Sequence, residues 1–399
     1  MFETSQRRRL YLKRDRARAI ANRHPWIFSG AIAREEGPEN AALADLIDAK
    51  GDRVASGFHS RHSQIRLRAL VFDDEELTQE LLTRRIEQAL GRRDRLLSFA
   101  TNTCRLVHAE GDELSGLIVD QYADVLVIEI TSAGLESIRD AAFDVLRSLR
   151  SPRTILVKNG ISARKLERIS LEDEFIGPHV AEVEVVENGS RFIVALEGAQ
   201  KTGLFLDQRD NRALARTLAL GKRVLNLFSY SGGFGVAAAA GGATSVEEVD
   251  ISEPAIELAR RHHSLNASRC ALTFTVADAF AHVRALVARN ARFDLVVCDP
   301  PAFARSRGEV ERAARGYKDV NLYAMKLVER GGMMMTFSCS GHLSLDLFQK
   351  VIFSAANDVG RRVSFVRRLT AGEDHPVSLY CPEGEYLKGF LLQFDNGRI

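Results

Sequence analysis

From Phe192 to Cys339, short apolar runs alternate with amphipathic helical stretches, and this alternation constrains the fold most. FIVALEG, KRVLNLF, TSVEEVD, LTFTV, FDLVVCD and GMMMTFSC read as strands. Between them lie helical stretches from Gln208 to about Leu220, after Gly235, at PAIELARRHHSL, near 279–289 and at 319–329. Strands of a few apolar residues separated by helices make a parallel, doubly wound sheet buried on both faces. That accounts for residues 189–399. At 399 residues the chain exceeds one ordinary core, so further domains precede this one.

Residues 1–72 carry short strand-like segments with Gly30, Gly51 and Gly57 between them, the pattern of a small β-barrel. Residues 73–188 mix the two periods: Leu81, Leu82, Ile86 and Leu90 form a helical stripe, and LSGLIVDQY, VLVIEIT and TILVKN read as strands. The charged stretch EDEFIGPHVAEVEVVENGS marks the boundary before the third region. With 45% hydrophobic and 27% charged residues, a fibrous or disordered chain is excluded. No apolar run approaches the roughly 20 residues that span a bilayer. The first residues lack the apolar core of a secretory leader, so a cytoplasmic protein is expected. Five scattered cysteines lack metal-ligand or redox-pair spacing, so no metal is expected. Residues 1–30 hold eight Lys/Arg against two acids, either a polyanion-binding surface or a solvated arm. Trp26 is expected in the barrel core.

In VLNLFSYSGGFGVAAA, a strand ending near Phe228 leads into a turn with Gly232, Gly233 and Gly235. Gly233, Gly235 and Ala238 fit G-x-G-x-x-A, which lets backbone approach a ligand closely. The next strand ends at Asp250, placed to accept both ribose hydroxyls of a nucleoside. The following strand leads to Asp278, within reach of an adenine amino group or a neighbouring amide. FDLVVCDPPAF ends in Asp299-Pro300-Pro301, a rigid wall without two N–H donors. Dehydrogenases do not use such a pair there; class I methyltransferases do. Cys339, between two serines after the last apolar run, faces the same crevice as Asp299, whereas Cys298 lies within a strand as a small hydrophobe.

A thiol at that place has a chemical use. C5 of a pyrimidine is a poor nucleophile. A thiolate adding to C6 makes an enamine whose C5 attacks a sulfonium methyl; loss of the C5 proton and elimination of the thiol follow. Asp299 near N3 or the amino group would favour the addition. A nitrogen-directed methyltransferase is the rival reading, though Ala302 separates Phe303 from the Pro-Pro pair and Cys339 would stand idle. A catalytically silent RNA-binding module is a third.

The whole chain resembles the bacterial 23S rRNA cytosine-C5 methyltransferases that carry a PUA domain. RHPWIFSGAI, GAQKTGLFLDQRDNR, VLNLFSYSGGFGVAAA, VDISEPAIELARRHHSLN, DPPAFARS, SCSGH and DHPV…PEGEYLKGF follow in that family's order. The resemblance implies a PUA-like barrel over 1–72, a middle α+β domain over 73–188 and a Rossmann-like class I methyltransferase domain over 189–399. It also implies S-adenosylmethionine (SAM) as cofactor, 23S rRNA, naked or in an assembling subunit, as partner, and often a homodimer. Cys339 matches the catalytic cysteine. Asp250, Asp278 and Asp299 match the crevice acids, and Lys201, Phe205, Asp207 and Gln208 the strip before the glycine turn. His262 and His263 depart from the family's usual helix surface and read as solvated or packing residues.

Overall fold

The computed structural model describes residues 6–16, 18–197, 204–304 and 306–398. Lys201 lies outside them. The chain forms two compact units: residues 1–185, 194–204 and 374–384, and residues 186–193, 205–373 and 385–399.

The first unit opens with a six-stranded sheet ordered Trp26–Phe28, Ile65–Phe72, Arg53–His59, Leu43–Ile47, Arg8–Leu12, Ile32–Glu36. Its pairing is antiparallel except where Arg8–Leu12 runs parallel to Leu43–Ile47. Alternation sorts its side chains. Leu10, Leu46, Ala55 and Leu67 close one core, while Leu43, Phe58, Leu70 and Val71 join another that continues through residues 77–157. There a five-stranded sheet meets helices Gln79–Asp94 and Arg139–Arg150. The expected stripe Leu81, Leu82, Ile86 and Leu90 is wholly buried. Arg93, also buried, donates to both oxygens of Asp112 at 2.7 Å and to the Asp374 carbonyl at 2.9 Å. Much of the basic N-terminal charge is neutralised: Arg7 pairs with Asp45, Arg8 with Glu35 and Arg23 with Asp73. Trp26 is half-buried rather than a core aromatic, because its indole N–H must reach an acceptor and finds Glu110 Oε1 at 2.7 Å.

The second unit is built on seven strands: β1 (Arg223–Leu227), β2 (Ser245–Asp250), β3 (Ala271–Val276), β4 (Phe293–Cys298), β5 (Val328–Ser338), β6 (Arg361–Leu369) and β7 (Lys388–Arg398). Their order is β3-β2-β1-β4-β5-β7-β6. β1 to β5 pair in parallel, and β7 lies antiparallel between β5 and β6. Helices α1 (Arg209–Leu218), α2 (Gly233–Ala240), α3 (Glu253–Leu265), α4 (Ala279–Ala288), α5 (Val310–Leu327) and α6 (Leu345–Val359) connect them. Along β1, Val224 joins the core with α1 and α2, and Leu225 and Leu227 join the core with α4, α5 and α6. A sheet covered on both faces explains the runs of apolar residues. The strand order reverses between β1 and β4, which opens a crevice beyond their carboxyl ends. This is the Rossmann-like architecture expected, preceded by an α+β unit with a PUA-like sheet. α5 begins earlier than its sequence suggests, because a capping box of Ser306 and Glu309 starts the turn that leads into it. Among the described residues, no helix is long and apolar enough to cross a membrane.

Candidate active site

Register places the crevice residues at one level. Leu227 pairs with Cys298, and Cys298 with Thr336, so the ends of β1, β4 and β5 open together. The turn after β1 is sharp: Phe228, Tyr230 and Gly232 have φ of 58°, 45° and 76°. Only glycine adopts that conformation freely, so the two aromatic residues are held there by their surroundings. Two of these holds are visible. Asp250 Oδ2 accepts from Tyr230 N and Oδ1 from Ser252 N, both at 2.9 Å. The Tyr230 ring meets Phe205 edge-on at 5.2 Å. Burial and the neighbouring Asp250 carboxylate push the Tyr230 phenol up.

The glycines have packing roles that the motif alone does not disclose. A Cβ on Gly235 would run into Glu248 Oε1, and one on Gly232 would lie 2.9 Å from Ala259 Cβ. Glu248 is fully buried, accepting from Asn226 Nδ2 at 2.7 Å and bonded to His263 Nε2 at 2.8 Å. His262 bonds the Ser231 carbonyl at 2.8 Å, and burial pushes its imidazole down. Both histidines therefore pack beneath the turn, the second of the two roles expected of them.

The strip before the turn closes the crevice from another side. Gln208 Nε2 donates to Asp299 Oδ2 at 2.9 Å and its Oε1 accepts from Asn211 at 2.6 Å. Asp207 Oδ2 accepts from the Tyr386 hydroxyl at 2.6 Å, and its carbonyl from Gly372 N at 3.0 Å. Arg212 donates to both oxygens of Glu187, at 2.7 and 2.6 Å, and to the Phe205 carbonyl at 2.8 Å. Asp278, exposed, caps α4 through Oδ1 on Ala281 N at 2.9 Å.

Cys339 is half-buried at the end of β5, its Sγ 3.9 Å from the Pro300 carbonyl. Ser340 ties its loop to the Asp299-Pro300-Pro301 wall: its Oγ accepts from Ala304 N at 3.2 Å and shares a 2.9 Å hydrogen bond with the Tyr317 hydroxyl. Phe303 packs against Tyr317 and Phe280 at 4.6 and 5.9 Å, inside an aromatic cluster. Cys298 is fully buried, and burial with Asp299 alongside pushes its thiol up. Asp250, Asp278, Asp299, Cys298 and Cys339, all singled out in the sequence, lie within or just beyond the strand ends. Glu248, Tyr317, Tyr386 and Lys388 are not singled out there, although the last two lie within PEGEYLKGF.

SAM can be tested against this crevice by its own atoms. Ser229 Oγ, in the turn after β1, is buried without a hydrogen-bond partner among the described residues. A buried hydroxyl left unsatisfied is costly, so a polar ligand fits there. The half-exposed Asp250 carboxylate beside it suits vicinal hydroxyls. The residues fit.

Residues 167–377 match the model of the S-adenosylmethionine-dependent methyltransferases, and residues 10–72 that of a PUA-like domain. Ribosomal RNA large subunit methyltransferase I of Tolumonas auensis is 41% identical over 96% of this chain and 98% of its own. The protein of the same description from Escherichia coli strain SMS-3-5 is 40% identical over 96% and 99%. A structure complexed with SAH shares the fold, with a TM-score of 0.83 and 21% identity over 96% of this chain and 99% of that one.

Proposed function

The chain belongs to the SAM-dependent methyltransferase family that includes ribosomal RNA large subunit methyltransferase I, and we propose that it methylates C5 of a cytosine in 23S rRNA through Cys339. The observation that carries this reading is the placement of Cys339. It is half-buried at the crevice beside the Asp299 wall, while Cys298, one strand away, is sealed. When bound, SAM supplies an electrophilic methyl group. Asp250 and Ser229 would hold it, and Asp278 would serve its adenine. Phe228, Gly232, Gly233 and Gly235 shape the floor, and Phe205, Asp207 and Gln208 belong to the same cofactor side; Lys201 is assigned to the cofactor by the family resemblance alone. The Cys339 thiolate adds to C6 of the base, and Asp299, steadied by Gln208, faces N3 or the amino group. C5 then takes the methyl as the sulfonium S–CH3 bond breaks, the C5 proton passes to water, and breakage of the C6–S bond returns the thiolate. Phe303 is engaged in an aromatic cluster, which weighs against a nitrogen-directed reaction in which it would hold an amino group.

In this reading residues 1–72 bind RNA, 73–188 support them, and 189–399 transfer the methyl. The substrate is naked rRNA or an assembling subunit in the cytoplasm. RNA carrying 5-fluorocytosine at the target tests the mechanism, because fluorine blocks the proton loss that elimination needs. Wild type should give a denaturant-resistant protein–RNA band. Cys339→Ala should give none and should lose methyl transfer while keeping its fold and SAM affinity. Normal methylation by Cys339→Ala would refute the cysteine route.

A further inference from the structure

Lys388 is the first residue of β7 and lies opposite Ser338 in the pairing with β5. Its side chain is buried, and Nζ donates to the carbonyls of Ser340 and Tyr386, each at 2.9 Å. These carbonyls satisfy two of its three protons but not its charge. Among the described residues, no carboxylate lies within ion-pair distance of this ammonium. A buried cation without a counter-ion is strongly destabilising. Burial accordingly pushes the ammonium down, and the group that most opposes this is Cys339, ahead of Glu385. Of the other titratable groups near this loop among the described residues, Tyr317, Asp299 and Glu385 carry no positive charge, and His342 follows three residues after Cys339. Tyr317, on α5, bonds Ser340 Oγ, and burial keeps its phenol protonated. Asp299, at the end of β4, is an acid turned toward Gln208. Glu385 lies just before β7.

We propose that Lys388 is the counter-cation that holds Cys339 as a thiolate, and so acts as a positioning residue for the nucleophile. This rests on the reading of Cys339 as the attacking group. The thiol proton leaves to bulk water before RNA binds, and Lys388 stays protonated. The sulfur then carries the electron pair that forms the bond to C6, and elimination returns that pair to the same sulfur beside the same ammonium. Lys388 exchanges no proton with the base. Its bond to the Ser340 carbonyl fixes the Ser340–Gly341 peptide, one residue beyond Cys339, so charge and position are set by one side chain.

The test measures iodoacetamide alkylation of Cys339 against pH, resolved from Cys270 by peptide mass spectrometry. Lys388→Met keeps the length of the side chain and removes the charge. Its alkylation midpoint should rise by about one pH unit or more, with about tenfold slower alkylation at neutral pH, since thiolate fraction falls tenfold per unit. Lys388→Arg should recover part of that shift, which a purely structural role would not predict. SAM affinity reports that the variants are folded. A reciprocal measurement needs no lysine variant: the Lys388 Cε resonance should titrate at lower pH in Cys339→Ala than in wild type. An unmoved alkylation midpoint in folded Lys388→Met, or an unmoved Lys388 titration in Cys339→Ala, overturns the proposal. The 5-fluorocytosine band separates the two levels. A wild-type band with an unshifted midpoint refutes Lys388 alone, and a missing wild-type band refutes the cysteine route itself.

Discussion

Gly235→Ala separates a glycine kept for the ligand from one kept for the protein. The added methyl would enter the space of Glu248 Oε1, with Val246 Cγ1 2.9 Å away. Overpacking a buried site costs about 1–3 kcal/mol. Displacing Glu248 also weakens its hydrogen bonds to Asn226 and His263, for about 1.5–3 kcal/mol where a charged group is involved. Better helix propensity in α2 returns up to about 1 kcal/mol. The net loss should be about 2–5 kcal/mol. Glu248→Ala removes the nearest obstacle and leaves only the Val246 methyl to shift, although it destabilises by itself through the orphaned Asn226 and His263. In that background Gly235→Ala should change stability by less than about 1 kcal/mol, a coupling far above the scatter expected of independent sites. Urea unfolding of the four proteins in the cycle, with SAM absent, measures it. Equal costs in both backgrounds, or a cost below about 0.5 kcal/mol in wild type, would show that Gly235 is not held by Glu248.

Four further outcomes are expected. Asp250→Ala should weaken SAM binding about 10–150-fold by calorimetry, the loss of a charge-assisted hydrogen bond of about 1.5–3 kcal/mol; unchanged affinity removes Asp250 from the site. Asp112→Ala should destabilise the first unit by about 3–5 kcal/mol in thermal unfolding, because Arg93 then keeps a buried charge without its carboxylate. Burial, aided by Arg105, pushes the His108 imidazole down to about 2, so folding favours its neutral form. Stability from this source is complete above the unfolded value near 6.5 and is lost as pH falls below it, by up to about 1.4 kcal/mol per unit; His108→Gln should flatten the decline in urea midpoint between about pH 6.5 and 5. Exposed Arg9 and Arg14 changed together to Glu should weaken RNA binding and reduce its salt slope by about two, read by filter binding across a salt series.

The parts of the crevice built from neighbouring residues were legible. A strand, a glycine turn, a helix and an acid lie within one short stretch, and each announces itself by period or side-chain type. Asp299 and Cys339 were legible because a parallel sheet brings successive strand ends to one edge. Lys388 was not, since β7 enters the sheet backward, between β5 and β6, and only that pairing sets its ammonium against Ser340. Tyr386 reaches Asp207 across 179 positions. Glu248 was hidden for a different reason: an acid inside a strand reads as a surface residue until Asn226 and His263 are seen to surround it. The basic N-terminus was legible as charge, but whether each charge faces water depended on acids such as Asp45 and Glu35, which adjoin it only in the folded sheet.

The first unit takes its final piece, residues 374–384, from near the end of the chain. Asp374 supplies the carbonyl that accepts from Arg93 and the carboxylate oxygen that accepts from Arg105 N. On the ribosome this piece is made about 190 residues after position 185. At roughly 5–20 residues per second that is a wait of about 10–40 seconds. Throughout that interval the nascent N-terminal unit lacks partners for buried donors, so this protein does not mature in simple order from its beginning to its end. The polypeptide that emerges first is among the last to be finished, and a chain stalled before residue 374 would leave both units incomplete.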